Sequence, residues 1–173
     1  MRDPTSQQPL PPLRGEEFHL FNHMAGTMQA LHGWFRTQWN VLYDVAKSAR
    51  RPKGMSIKTY LSMCLEFCER LEAHHTIEEV RIFPYLAKRM PSFANKDQLV
   101  TQHKAIHAGL ERLEHYARGC LNGETDLQWG EVKEVLDSFG TILWTHLDEE
   151  VRELGAEQTR KYWSAEEMRR MPM

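Results

Sequence analysis

Seven side chains of metal-ligand type interrupt helical stripes that are otherwise apolar: His32, His74 and Glu78, His103 and His107, and His146 and Glu150. Spacings of three and four residues place such groups on one helix face, so the four pieces can converge. A buried imidazole without a partner is costly and a buried carboxylate more so. Against a net stability of about 5–15 kcal/mol, seven uncompensated groups would prevent folding. A self-contained hydrogen-bond network fails the accounting, because two carboxylates cannot accept from five imidazoles and leave every ring nitrogen paired. A metal centre is the better account. Seven donors exceed the four of a tetrahedral zinc, and an imidazole-rich set with carboxylates suits iron or another redox-active transition metal. Glu78 and Glu150 can each bridge a pair of octahedral cations, joined further by a shared oxo or hydroxo group. Five imidazoles then leave one position open, on the cation that carries two His.

Two registers compete in the stretch Leu71 to Pro84, LEAHHTIEEVRIFP. The stripe Tyr60, Cys64, Phe67, Leu71, His74, Glu78, Tyr85 is apolar or aromatic apart from His74 and Glu78. The neighbouring stripe Leu61, Leu65, Cys68, Glu72, His75, Glu79, Ile82, Leu86 carries a further charge at Glu72. This places His74 and Glu78 inward and His75 and Glu79 at the rim.

The elements that must carry these groups are helices. From about Glu16 to Lys47 the stripe Phe21, Ala25, Met28, His32, Phe35, Trp39, Leu42, Ala46 steps by three and four. Gly26 and Gly33 lie on the side of His19 and His23, where a close helix approach or a kink is expected. Pro52 and Gly54 break the pattern, and Ser56 is the expected N-cap of a second helix running to about Arg89. Pro84 should end or kink it near Phe83. A third helix spans about Asn95 to Leu121, stopped by Asn122 and Gly123, and a fourth about Leu127 to Gly155. Ser164 and Glu167 have the spacing of a capping box, with Pro172 ending that turn. The expected fold is all-α: an antiparallel up-down-up-down four-helix bundle over 15–155. An extended, disordered Pro-rich arm (1–14) precedes it, and a short C-terminal extension (156–173) follows.

Composition excludes several function classes. The 173 residues suit one domain, and 41% hydrophobic with 27% charged residues is ordinary for a soluble chain. A formal net charge of −2 with mixed signs offers no electrostatic footprint for nucleic acid or an anionic membrane. Three cysteines give no disulfide framework; Cys64 and Cys68 read as small buried hydrophobes. No stretch has signal-peptide or membrane-span character, so a cytoplasmic location is expected.

The segments His32-Gly-Trp-Phe-Arg36, His74 to Pro84, Gln102-His-Lys-Ala-Ile-His107 and His146-Leu-Asp-Glu-Glu150 together resemble the hemerythrin-like family of cation-binding domains, also called HHE domains, over about Glu16 to Gly155. The resemblance implies a non-haem di-iron centre in a four-helix bundle. It implies that His103, His107 and His146 hold one iron, that His32 and His74 hold the iron with the vacant position, and that Glu78 and Glu150 bridge. Oxygen-carrying hemerythrins place an Asp five residues after the last His, whereas position 151 is Val; Glu150, four residues on, is the pattern of the broader group.

A centre with five His and two carboxylates holds ferrous iron well, which favours binding or sensing of dioxygen, peroxide or nitric oxide. The alternative is a di-iron oxygenase or oxidase acting on a small organic substrate, with Phe35, Trp39, Phe67 and Trp144 walling its pocket. A store or partner-binding bundle, using Met24, Met90, Met168 and Met171 at an interface, is a minor third reading. His115 reads as a surface residue, and His19, His23 and His75 as outlying groups near a path of metal entry.

Overall fold

The computed structural model describes residues 11–94 and 98–171. The expectations that fall on residues 1–10 of the N-terminal arm, on Asn95 as a helix start and on Pro172 as a stop lie outside the described residues. Those that are described form helices and connections, with no strand among them. The long helices are α1 (Gly15–Ser48) and α2 (Ile57–Ile77). A π-helical turn over Glu78–Ile82 leads from α2 into the short α3 (Phe83–Leu86). Then come α4 (Gln98–Leu121), α5 (Trp129–Glu153), α6 (Ala156–Tyr162) and α7 (Ala165–Met168). The helices pack as a bundle in which α1 touches α2 and α5, and α4 touches α2 and α5.

Local chemistry explains most boundaries. Ser56 caps α2 by accepting from the Thr59 N–H at 2.9 Å. Ser164 and Glu167 form the reciprocal capping box at α7. Pro84 has no N–H for the Val80 carbonyl, and its ring would crowd that carbonyl in an α-turn. The chain keeps coiling but widens: the Phe83 N–H reaches back five residues to the Glu78 carbonyl, a π-turn in place of the expected kink. α1 runs through Gly26 and Gly33 without interruption, and neither admits a close neighbour, since a Cβ at either would meet nothing within 4 Å. The close approaches occur instead at Gly109, where a Cβ would strike the Phe139 ring, and at Gly140, where it would sit 2.7 Å from Trp39 Cζ2.

Residues 156–171 are more ordered than their polarity suggests. Thr159 is buried, and its hydroxyl donates to the Phe21 carbonyl at 2.8 Å. Arg89 pairs with Glu167 at 2.7 Å and covers Trp163, whose ring stacks on Tyr85 at 5.3 Å. Pro11–Arg14 have no regular structure, yet the Arg160 guanidinium donates to the Pro11 carbonyl at 2.6 Å.

The apolar core is divided in two. One cluster holds Phe35, Trp39 and Leu42 of α1 with Tyr60, Phe67 and Leu71 of α2, Ile106 and Leu113 of α4, and Leu136 and Phe139 of α5. The other holds Phe21, Met24 and Met28 of α1 with Phe83, Leu86, Met90, Leu99, Leu154 and Trp163. Along the chain His32, His74, Glu78, His103 and Glu150 fall in sequence between the two sets, while His146 and His107 lie at the edge of the first. Met24, Met90 and Met168 belong to the second cluster and are buried, which removes them from the interface reading.

Candidate metal centre

Between the two apolar clusters lies a layer of buried His and Glu. His32 projects from α1, His74 and His75 from α2, Glu78 from the π-turn, His103 from α4, and His146 and Glu150 from α5. All are buried except His74, which is 11% exposed at its side chain. Their donor atoms form two groups of four, each with atoms within 4.8 Å of one another: His32, His74, Glu78 and Glu150, and His75, Glu78, His103 and His146. Glu78 belongs to both.

The carboxylates link the groups. Glu78 sets Oε1 2.9 Å from His74 Nε2 and Oε2 3.5 Å from His103 Nε2. Glu150 sets Oε2 3.3 Å from His32 Nε2 and 3.5 Å from His146 Nε2. Two donors bound at right angles to one cation at about 2.1 Å sit about 3.0 Å apart, so these separations are those of a coordination polyhedron. Three of the four, at 3.3–3.5 Å, are long for hydrogen bonds, and the contact at 2.9 Å lacks the direction of one. His32 Nε2, His74 Nε2, both nitrogens of His75 and all four oxygens of Glu78 and Glu150 lack a directed hydrogen-bond partner. Each such orphan costs about 1–3 kcal/mol, and eight of them exceed the stability of an ordinary domain. A cation accepting those lone pairs removes the cost, so these residues fit a metal.

Partners on the outward side of the rings fix which nitrogen faces inward. The Leu147 carbonyl can only accept, so His32 Nδ1, 3.1 Å away, carries a proton. Glu79 takes the Nδ1 proton of His103 at 2.8 Å. Gln102 donates its amide to Glu149 at 2.6 Å, which turns its Oε1 toward His146 Nδ1 at 3.2 Å. In all three rings Nε2 is left as an inward lone pair, the tautomer a metal requires.

Electrostatics follow from burial. Desolvation lowers the pKa of His74 to about 4 and that of His146 to about 3, and it lowers His75 and His103 as well. Burial, and then the neighbouring Glu150, push Glu78 well above the usual carboxylate range. Burial also acts on Glu150, but His32 and the other imidazoles around it outweigh burial and hold that carboxyl low. Without a cation the two acids are pushed in opposite directions, Glu78 up and Glu150 down.

The structure thus brings six of the seven expected residues together. His107 is half-buried and belongs to neither group of donor atoms, although its ring centroid lies 5.4 Å from that of His75. The placement of His75 at the rim is corrected: it is fully buried, with its ring stacked on His103 at 3.8 Å. Glu72 did not disqualify its stripe, because α2 packs against both α1 and α4 and so buries a face wide enough for Leu61, Cys68 and His75 beside Tyr60, Phe67 and Leu71. The adjacent apolar pairs 60/61 and 67/68 were the signal. Glu79 and Gln102 had none beyond standing next to expected ligands. Cys64 and Cys68 are buried within the apolar core, and His19, His23 and His115 are exposed.

A helical protein with a buried layer of imidazoles and carboxylates between two apolar clusters is a metal-binding bundle. The chain belongs to the hemerythrin HHE cation-binding domain family, whose model matches residues 16–157. It is also similar to a dimeric xanthone biosynthesis cluster protein R11 from Cryptosporiopsis sp. (strain 8999), 34% identical over 83 residues. That match covers 47% of this chain and 30% of the relative, so the chain spans under a third of that protein's length. No solved structure matches the chain. No helix of the described residues is long and apolar enough to cross a membrane.

Proposed function

We propose that the protein holds two iron ions, bridged by Glu78, Glu150 and an oxo or hydroxo group, and binds dioxygen or a related small ligand there. The observation that carries this reading is the double reach of Glu78, with one oxygen toward His74 and the other toward His103. His32 and His74 serve the first iron, and His103 and His146 the second, with His107 as the third imidazole that the family resemblance implies. Bound iron would supply reversible one-electron chemistry and an open position for the ligand. The chain's own residues set the conditions. His32, His103 and His146 hold their Nδ1 protons outward, Phe35 covers His74 with ring centroids 5.1 Å apart, and His74 and His107 are partly open to solvent.

The bundle is read as antiparallel, up-down-up-down. Along α1 and α4 the second apolar cluster precedes the polar layer and the first follows it; along α2 and α5 the order is reversed. Alternating helix direction produces that reversal.

The second reading, a di-iron oxygenase or oxidase acting on a small organic molecule, is favoured by one observation, the similarity to a protein of a xanthone biosynthesis cluster. Against it, Phe35 and Phe67 are buried and packed on one another at 6.2 Å, and the cleft that Trp39 and Trp144 border includes none of the metal-layer residues. Metal analysis and an anaerobic optical spectrum before and after dioxygen decide between the two. Two irons per chain and a charge-transfer band that reverses on deoxygenation are expected. A band that decays while an added substrate is consumed identifies the oxygenase, and a chain purified from iron-replete cells without iron overturns both.

A further inference from the structure

Away from the buried layer, two imidazoles stand at chelating spacing on an open face. His19 and His23 lie four residues apart within α1, and both are exposed. With Asn22, Gly26 and Thr27 they line one open depression of the surface. The Thr27 hydroxyl, one turn further on, sits 3.3 Å from His23 Nδ1. That contact engages one nitrogen of the ring and leaves Nε2 for another partner. The Phe18 ring meets His19 edge-on, with 6.0 Å between centroids. Asn22 is engaged elsewhere, its Oδ1 accepting from the Ala156 N–H at 3.2 Å. Gly26 presents no side chain to the depression, and a Cβ there would meet nothing within 4 Å, so there is room for a hydrated ion.

We propose that His19 and His23 form a separate surface site for one divalent late-transition ion, of the class copper(II), nickel(II) or zinc(II). Imidazoles one turn apart on a helix have Cβ atoms about 5–6 Å apart. Side-chain rotation brings one nitrogen of each to the roughly 3 Å separation of two donors on a cation with bonds of about 2.0–2.1 Å. The same spacing of two His on a helix chelates zinc in metalloproteases. Two neutral nitrogens favour ions high in the Irving–Williams order, copper(II) first, with water in the remaining positions. The positive end of the α1 dipole works against a cation, but the exposed Glu16 and Glu17 of the first turn offset it. The site is no outer part of the buried layer. His32 lies nine residues beyond His23, which places it on the opposite side of α1 and about 13.5 Å along the axis. The proposal is therefore independent of what the buried layer holds.

Two measurements on the untagged full chain test it. Retention on immobilised nickel(II) reads surface imidazoles alone, because a resin-bound ion cannot reach the buried layer. Wild type should be retained and should elute at a several-fold higher imidazole concentration than His19→Ala or His23→Ala. His115→Ala, which removes another exposed imidazole, should elute with wild type. In solution, copper(II) followed by electron paramagnetic resonance should show a centre with two nitrogen ligands that the double alanine variant lacks. Each single substitution should weaken that binding at least tenfold. Copper taken up by the buried layer is common to all these proteins and cancels in the comparison. Both positions are exposed, so helix content and melting temperature should not change, and His23→Gln repeats the test if alanine disturbs the fold. Passage of wild type without retention, elution of both single variants with wild type, or an unchanged copper centre in the double variant would overturn the proposal. So would a loss confined to one single variant, the mark of a lone imidazole, or an equal loss in His115→Ala.

Discussion

The Nε2 atoms of His103 and His146 face each other at 3.0 Å while their Nδ1 atoms are engaged by Glu79 and Gln102. Two lone pairs at that distance repel unless a proton or a metal ion lies between them. The outer partners therefore create a demand for a cation as well as aiming the rings. Glu79 is 41% exposed at its side chain, so removing it opens no cavity. Glu79→Ala is expected to leave the fold intact and weaken metal binding about 10–100-fold, measured by cobalt competition against a chelator. Gln102→Ala should act through His146 in the same way. Unchanged affinity in both variants would show that the outward hydrogen bonds do not matter.

Glu78 and Glu150 respond differently to neutralisation. Glu78 is driven toward its protonated form by burial and by Glu150, so an amide closely mimics its metal-free state. Glu78→Gln is expected to leave the metal-free melting temperature unchanged or raised, yet to abolish simultaneous binding of two ions. Glu150 is held ionised by His32 and the surrounding imidazoles; Glu150→Gln should lower the metal-free melting temperature as well. Calorimetry of both variants, with and without metal, gives the comparison. Equal effects on the metal-free protein would refute the asymmetry.

The pH dependence of the metal-free chain has a definite sign. An unfolded imidazole takes a proton near pH 6.5, whereas folded His74 and His146 resist it until about 4 and about 3. The unfolded state then binds more protons, so stability falls as pH drops from 6.5 through 4 toward 3. Glu78 opposes this: its raised folded pKa contributes stability that is fully present below the unfolded value and lost as pH rises through the folded one. Urea denaturation from pH 7.5 to 4 should show the acid loss, and it should be steeper in Glu78→Gln, where the opposing group is gone. A flat profile in that variant would mean that the imidazoles are not buried as neutral rings.

The polar layer was legible in the sequence because each stripe is apolar except where His or Glu interrupts it. His32, His103, His146 and Glu150 could be read from a single helix apiece. His75 could not, because one helical wheel does not say how many neighbours a helix has, and that number sets the width of the buried face. The π-turn was half-legible: Pro84 announced a disturbance, but whether the chain stops or widens depends on what Phe83 and Leu86 pack against. The ordering of 156–168 was hidden because it rests on long-range partners, Thr159 with Phe21 and Arg89 with Glu167, and not on local periodicity.

The glycines test the packing of the bundle apart from the metal. Gly26 and Gly33 are open to substitution, and alanine there should raise stability by about 0.5–1 kcal/mol each through helix propensity. Gly140 is the opposite case. A Cβ there would lie 2.7 Å from Trp39 Cζ2, and Trp39 is wedged by Phe139 at 5.1 Å and Phe67 at 5.9 Å. These two rings flank the indole and resist its displacement, so the overpacking penalty of about 1–3 kcal/mol outweighs the propensity gain. Gly140→Ala should lower the urea midpoint without changing the slope. Trp39→Phe in the same background should restore part of the loss, because a smaller ring leaves room for the methyl group. Recovery in the double variant assigns the cost to this one contact; additive losses would place it elsewhere in α5.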